Sequence, residues 1–582
     1  MLVGMLLVVV ANGFAVAGPW VLRLAIDAIE SPGVTQSQII RYALLIVGLA
    51  LAGGVARYGM RELLNGVSRR MECDLRLDFF EHLLRLDASF YGSERTGDIM
   101  SRATNDTLAV RQAIGPAVMY SVNTVVMSAF ALTLMVLISP RLTAIVLVPM
   151  LVLPPVVIAF GRVIHERFQR IQEQFSTIST QVQENLTGVR VVRAYVQEED
   201  QTRRFARMNR EYADRNLYLV RIEGLFHPVL TLLIGLAMVA MLWIGGSAVM
   251  SGQISVGDLV ALIFYLNLLI WPMIALGWVV NLFQRGEASM ARVNEIFATR
   301  PRVVPGKGRS VAAPRGRIEF RDVCFRYPGT ERDVLRGVSF VAEPGQTIAV
   351  VGPTGAGKST LVSLIPRLYD PTDGEILFDD LPLSSYDPAK LREVMGVVPQ
   401  DTFLFSESIE SNVGLGLSAG EDYDRSEGPD PRVLRAAEIA QLHEQVIEFP
   451  AGYRTRLGER GINLSGGQKQ RAALARAIAR DPVVLILDDA LSAVDTQTEA
   501  LILEELRESL RRRTAFVISH RVTAVMHADH ILVLDEGVIV EAGKHTDLLS
   551  RGGVYATLLR RQLLEQSVAE LDVEAPVRSA RG

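Results

Sequence analysis

Eight consecutive residues carry the clearest chemistry: Gly352, Pro353, Thr354, Gly355, Ala356, Gly357, Lys358 and Ser359. The apolar run 347–351 precedes them, and Thr360 leads into an apolar-periodic run from Leu361. Strand, Gly-rich loop and helix, in that order, is the setting in which G-x-x-x-x-G-K-[ST] holds phosphate. The glycines let the backbone curl so that successive N–H groups point inward, and the helix start adds the positive end of its dipole. Lys358 supplies a point charge between two phosphates, and the Ser359 hydroxyl can hold Mg²⁺. A chance Gly-rich turn would need neither the strand before it nor the Lys-Ser after it. A second apolar run, 483–487, ends in Asp488 and delivers a carboxylate to a strand's C-terminal edge, where it can approach the same Mg²⁺. Such an acid can also be a mere solubilising end, but its pairing with the loop favours the metal role.

These groups need a scaffold, and the chain is large enough for more than one domain at 582 residues. A mean hydropathy of +0.25 with 49% hydrophobic residues is too apolar for a soluble nucleotide-binding protein, so the excess must be concentrated somewhere. A net charge of -4 gives no general argument for nucleic-acid binding. The two cysteines, Cys73 and Cys324, are too few for a disulfide framework and fit a reducing compartment.

The apolar excess lies in the first half, where six runs lack Asp, Glu, Lys and Arg: 1–22, 42–56, 112–140, 142–161, 224–257 and 259–284. A helix of about 20 residues crosses a hydrocarbon core about 30 Å thick, a length five of the runs reach. The second is shorter, with Arg41 and Arg57 placed to snorkel to the interfaces. The run from Met1 is too long for a signal-peptide core and lacks a charged start, so it reads as the first span; without a basic segment before it, the start reads as shortened or misassigned. Connections 57–111 and 162–223 hold nine and eleven arginines against three in the short connections, which places the long ones in the cytosol. Apolar residues at helical spacing, such as Leu75, Phe79, Leu83 and Leu86, imply helices that continue out of the bilayer. In the last span Asn267, Trp271, Ile274, Trp278 and Asn281 form one stripe, open to two readings: lining of a path, or packing against neighbouring helices. No Asp, Glu, Lys or Arg lies inside the six runs, which argues against proton coupling and against a strongly charged substrate site.

A Pro-, Gly- and Arg-rich linker, 298–315, separates the membrane domain 1–297 from a soluble domain 316–565. In the latter, apolar runs 318–325, 347–351, 396–398, 483–487, 515–518 and 531–534 alternate with helical patterns 359–369, 468–479 and 498–510, an α/β arrangement. Residues 415–432 read as a surface loop and 566–582 as a disordered tail.

Leu464, Ser465, Gly466, Gly467 and Gln468 open a helix, with Gln468 twenty residues before Asp488. With the phosphate loop upstream, this combination resembles the ATP-binding cassette family, and six spans ahead of the cassette resemble a bacterial exporter half-transporter. The resemblance runs from Met1 to about Gln566 and includes Phe90-Tyr91, Thr96-Gly97-Asp98, Ser101-Arg102 and the stretch Glu184 to Arg190 in the cytosolic loops. It implies coupling helices near residues 97–106 and 195–203, ATP and Mg²⁺ as ligands, and a second six-span half-transporter as partner in the lipid bilayer. It also implies that Tyr327 stacks on adenine and that Gln400 reaches Mg²⁺ and the attacking water. Residues 490–495 would cross between two cassettes, and His520 would contact the γ-phosphate. Ser465, Gly466, Gly467 and Gln468 would bind the nucleotide of the opposite cassette.

The family usually has glutamate after the metal aspartate, and here the residue is Asp489. One methylene fewer withdraws the carboxylate by about 1 Å, which can cost on the order of a hundredfold in rate. The expectation is an ATP-driven exporter of hydrophobic or amphipathic compounds, drugs or lipids, in the cytoplasmic membrane. This chain would be the slow-site half of a heterodimer; a homodimer with two slow sites and an ATP-gated channel are the alternatives.

Overall fold

The computed structural model describes residues 1–574 apart from 32, 305, 307–312, 418–427, 459–460, 462, 511 and 520–524. The chain forms two compact units, one of Met1–Leu84 and Thr96–Thr299, the other of Arg85–Arg95 and Arg300–Gly582.

Six helices long and apolar enough to cross a membrane make the first unit: α1 (Leu2–Glu30), α2 (Gln36–Arg85), α3 (Thr96–Ile138), α4 (Pro140–Thr187), α5 (Glu198–Met250) and α6 (Val256–Ala298). At 1.5 Å per residue the 50 residues of α2 span about 75 Å, far more than a bilayer core, so the charged connections are continuations of the spans. Leu44, Leu51 and Val55 of α2 are exposed, as a surface solvated by lipid requires. On α6 the buried residues Leu262, Tyr265, Leu266 and Leu269 recur at three- and four-residue steps against Val16, Met127 and Val146. The Tyr265 hydroxyl donates to Val16 O at 3.1 Å, which satisfies its polar end inside this core. A capping box starts α6: Ser255 Oγ accepts from Asp258 N at 2.9 Å, and Asp258 Oδ2 accepts from Ser255 N at 3.0 Å. The stripe of polar and aromatic residues on α6 is divided: Asn267, Trp271, Trp278 and Asn281 are exposed, with Asn267 Nδ2 donating within its own helix to Ile263 O, whereas Ile274 packs against the core and Trp278 meets Tyr120 of α3 edge to face.

Helix α3 is interrupted by π turns at Arg102–Asp106 and Ala113–Ala117, the second around Pro116, which has no N–H to give. In the first, buried Asp106 accepts from Ser289 Oγ at 2.9 Å and Arg292 Nε at 3.0 Å, pinning α3 to α6. The short separate helices are Ala88–Ser93 and Val189–Ala194, not the stretches 97–106 and 195–203. Residues 96–106 instead begin α3, and Glu198 begins α5, each continuous with its span in spite of Pro116 in α3 and Pro228 in α5.

In the second unit, strands β1 (Ile318–Phe325), β2 (Leu335–Ala342), β3 (Thr347–Val351), β4 (Asp373–Phe378), β5 (Leu381–Pro382), β6 (Met395–Val398), β7 (Val484–Asp488), β8 (Thr514–Ile518), β9 (His530–Asp535) and β10 (Val538–Gly543) form two sheets. One has the order β10-β9-β3-β8-β7-β6, with β3, β6, β7, β8 and β9 parallel and β10 antiparallel at its edge; the other, β2-β1-β4-β5, is antiparallel. Helices α7 (Lys358–Leu364), α8 (Gly466–Ala479), α9 (Thr496–Leu510) and α10 (Val554–Glu574) accompany them. Alternation along β7 serves two cores. Val484 and Ile486 pack with Leu361, Ile365 and Phe516, whereas Leu485 and Leu487 pack with Leu474, Ile478 and Ile502. Each buried leucine or isoleucine contributes roughly 1.5–3 kcal/mol, so the strand that ends in Asp488 is fixed from both faces. Helix α10 continues beyond Gln566 to Glu574, farther than the polar composition implies.

Candidate nucleotide-binding site

Strand β3 is central in its sheet, flanked by β8 and β9, and it delivers the Gly-rich loop to their shared C-terminal edge. Gly352, the first residue past β3, has φ 153°, and a Cβ there would lie 2.0 Å from Leu534 O at the end of β9. No side chain fits that approach, so glycine is required for the loop to leave the sheet here. Lys358 begins α7 and is buried. Its Nζ donates to Gly352 O at 2.9 Å and Pro353 O at 2.8 Å, bringing the ammonium back over the start of the loop. Burial pushes this ammonium below the ordinary lysine pKa, and the carboxylates of Asp488 and Asp489 recover part of the loss. The two acids therefore face the loop from β7, two strands away across β8.

Ser359 is exposed at the mouth of the loop, and Asp488 is buried at the end of β7, paired with Ile518 of β8. Gln400 is exposed two residues past β6. A hydroxyl, a carboxylate and an amide oxygen are hard donors of the kind Mg²⁺ takes. Among the described residues no group of three or more His, Cys, Asp or Glu forms a metal cage, but a magnesium site completed by phosphate oxygens needs only one or two carboxylates. The donor set fits the ion. Tyr327 follows β1, packs edge-on against Phe325 and Tyr369, and joins its hydroxyl to Thr360 Oγ1 at 3.0 Å. This ties the aromatic residue to the helix that carries Lys358.

Asp489 has φ 50°, in the left-handed region that Asp tolerates better than most residues. Its N–H donates to Ile518 O at 3.0 Å and its carbonyl accepts from Gln470 Nε2 at 3.4 Å. Gln470 also donates to Ser492 Oγ at 2.8 Å and accepts from Ala493 N at 2.8 Å. It thereby ties helix α8 to residues 490–495, a link that the sequence does not announce, since a glutamine inside a helix carries no signal of its partners.

Ser465 caps α8: its Oγ accepts from Gln468 N at 3.3 Å, and Gln468 Oε1 accepts from Ser465 N at 2.9 Å. Gln468 Nε2 donates to Gln445 Oε1 at 3.0 Å, which also accepts from Arg471 Nη2 at 2.8 Å. The Gln468 side chain is thus used in holding the turn, and the backbone N–H groups of Gly466 and Gly467 form the open first turn of a 14-residue helix. A Cβ on Gly467 would come within 2.8 Å of Ala493 O, so the signature and residues 490–495 are in direct contact. Pro353, Thr354 and Gly355 are exposed and Ala356 is buried beneath the loop, whereas His520 lies outside the described residues.

A phosphate loop at the edge of a mostly parallel sheet, opposed by two acids and joined in one chain to six long apolar helices, defines a membrane-embedded P-loop ATPase. Comparison with known proteins narrows this. Residues 1–273 match the ABC transporter transmembrane region and residues 335–492 match the ABC transporter family. The chain is 37% identical to a protein of Bacillus subtilis named probable multidrug resistance ABC transporter ATP-binding/permease protein YheI, over 97% of this chain and 95% of that one. It is 36% identical to the multidrug resistance-like ATP-binding protein MdlA of Escherichia coli, covering 97% and 94%. It is likewise 36% identical to the ATP-dependent lipid A-core flippase of Burkholderia orbicola, covering 90% and 86%. A solved structure of a bacterial Atm1-family ABC exporter with ATP bound superposes with a TM-score of 0.76 at 28% identity, covering 96% of this chain and 98% of the other. The chain belongs to the ATP-binding cassette transporters and has their exporter fold. It is a multi-pass membrane protein with a cytosolic ATP-binding domain, and it couples ATP hydrolysis to export.

Proposed function

We propose that this chain is one half of a heterodimeric exporter of amphipathic compounds and that its own nucleotide pocket hydrolyses ATP slowly. The observation that carries the proposal is Asp489. Its backbone is held on one side by Ile518 O and on the other by Gln470, so the main chain has no freedom to advance the shorter carboxylate towards an attacking water. The withdrawal of about 1 Å then goes uncompensated.

The remaining residues take the roles their positions suit. Gly352 to Thr360 cradle the triphosphate, with Lys358 giving up its bonds to the Gly352 and Pro353 carbonyls for phosphate oxygens. Ser359, Asp488 and Gln400 would hold Mg²⁺, which when bound neutralises charge on the β- and γ-phosphates. Tyr327 offers a ring to the adenine. Ser465 to Gln468 are presented to a nucleotide held by the second half-transporter, with N–H groups of the α8 first turn as donors. His520 would contact the γ-phosphate. The names of the relatives, multidrug transporters and a lipid A-core flippase, support cargo that is apolar over much of its surface.

ATP turnover by the purified chain alone, and with a related half-transporter that has glutamate after its metal aspartate, tests the assembly. The pair should hydrolyse ATP about a hundredfold faster than the chain alone; brisk turnover by the chain alone would sink the heterodimer. In reconstituted vesicles the pair should move an amphipathic dye against its gradient with ATP, whereas a purely downhill current would mark a channel.

A further inference from the structure

The membrane unit contains a cavity of about 600 Å³, within the range that encloses drug-sized ligands. Three arginines line it: Arg61 of α2, Arg111 of α3 and Arg285 of α6. No carboxylate lies among the lining residues. The sequence argues against a strongly charged substrate site because the uncharged runs hold no Asp, Glu, Lys or Arg. Those runs begin one residue past Arg111 and end one residue before Arg285, and the fold brings the two ends together.

Close helix contact makes this convergence possible. A Cβ on Gly286 would lie 2.3 Å from Ala113 Cβ, so glycine beside Arg285 lets α6 approach α3 just past Arg111. Arg111 is held in place: Glu72 Oε2 stands 3.1 Å from its Nε, and Arg76 grips the other oxygen of Glu72 at 2.7 Å. Glu72 therefore divides one negative charge between two guanidiniums. Among the described residues no carboxylate pairs with Arg61 or Arg285. The cavity consequently carries an uncompensated positive charge.

Its other wall is aromatic and apolar. Tyr120 and Trp278 meet edge to face with centroids 5.0 Å apart, beside Met119 and Leu282. Arginines that merely snorkel to the interface need no such wall facing them. Guanidinium groups recognise planar, bidentate oxyanions, and ring faces and methionine accept varied apolar bodies.

We infer that this cavity is a binding site for amphipathic anions, in which Arg61 and Arg285 hold a phosphate or carboxylate head and Tyr120 and Trp278 hold the apolar body. The inference deepens the exporter reading by naming a substrate class and rests on it for the word substrate, but the site itself does not require transport. Trp278 belongs to the stripe of α6, which gives that stripe a use, and Tyr120 meets it from α3.

Equilibrium binding to the full chain in phosphatidylcholine nanodiscs, without ATP, tests the site with dodecyl phosphate and dodecyltrimethylammonium, two probes of equal tail and opposite charge. Dodecyl phosphate should bind at least about tenfold more tightly, the scale of a charge-assisted contact. Replacing both Arg61→Gln and Arg285→Gln should abolish the preference, and the Arg61→Lys, Arg285→Lys pair should retain part of it. Equal binding of the two probes by the unaltered chain, which involves no variant and no folding question, would overturn the inference. So would an unchanged preference in a folded double glutamine variant. Added phosphatidylglycerol that displaces the probe identifies a lipid head as the occupant, and failure to displace it identifies a free amphiphile. Selective, arginine-dependent binding without ATP-driven uptake would keep the site and remove the exporter reading. Uptake of a cationic dye with no anion preference would do the reverse.

Discussion

Asp489 is fixed by its main chain rather than by its carboxylate, and that decides what a substitution there does. Asp489→Glu restores the missing methylene on a backbone already anchored through Ile518 O and Gln470. With the second half-transporter present, hydrolysis at this pocket should rise by up to a hundredfold, while ATP affinity, set by the loop and Lys358, stays within about threefold. Trapping of labelled nucleotide at each pocket separates this site from the partner's. No gain in hydrolysis would mean that another group limits the step. Asp489→Asn supplies the control: the carboxylate is lost, the left-handed backbone is tolerated, and residual turnover at this pocket should fall further.

At the scale of elements, Gln470 joins the signature helix to residues 490–495, and three of its hydrogen bonds end on Asp489, Ser492 and Ala493. Gln470→Ala leaves the Ala493 N–H without this acceptor, a cost of about 1–3 kcal/mol. It also loosens two segments that are to face the partner cassette. The expected result is a fall in turnover of the pair with ATP affinity of the phosphate loop little changed, and Gln470→Glu should recover part of it because a carboxylate still accepts from Ala493 N. Equal losses in affinity and turnover would instead make Gln470 a general packing residue. The same scale explains what the sequence made legible. The parallel strands were readable because β3 and β7 are short apolar runs bounded by turn residues. Strand β2 was not: register shifts against β1 leave its buried residues Leu335, Val338 and Ala342 three and four positions apart, a helical spacing. The loop, Asp488 and Ser465 stand in contiguous strings and were readable as a site. Gln470 and the convergence of Arg61, Arg111 and Arg285 depend on long-range contacts, which no local pattern encodes.

On the scale of the whole chain, the two compact units do not follow the order of the sequence, because Arg85–Arg95 leaves the run of membrane helices and belongs with the cassette and linker. Asp87 is the residue that secures this exchange. It caps the short helix Ala88–Ser93 by accepting from Ser89 N at 3.0 Å, and its other oxygen accepts from the backbone N–H groups of Arg302 and Val303. Burial raises the pKa of this carboxyl, but the hydrogen bonds from Ser89, Arg302 and Val303 outweigh burial and leave it below the ordinary aspartate value. A folded-state pKa below the unfolded one gives stability that is fully present above the unfolded value, about 3.9, and is lost as pH falls through the folded value. Asp87→Ala should therefore lower the stability of the full chain by about 1–2 kcal/mol at pH 7, the worth of a strong cap. Amide exchange at Ser89, Arg302 and Val303 should quicken. The gap in thermal stability between the unaltered chain and the variant should hold from pH 7 to about pH 5 and narrow below about pH 3.9, as the unaltered chain loses the same acceptor. A gap that stays constant through that range would show that Asp87 acts through its shape and not its charge. Asp87→Asn, which keeps one acceptor oxygen without the charge, should fall between the two at neutral pH and lose the acid dependence.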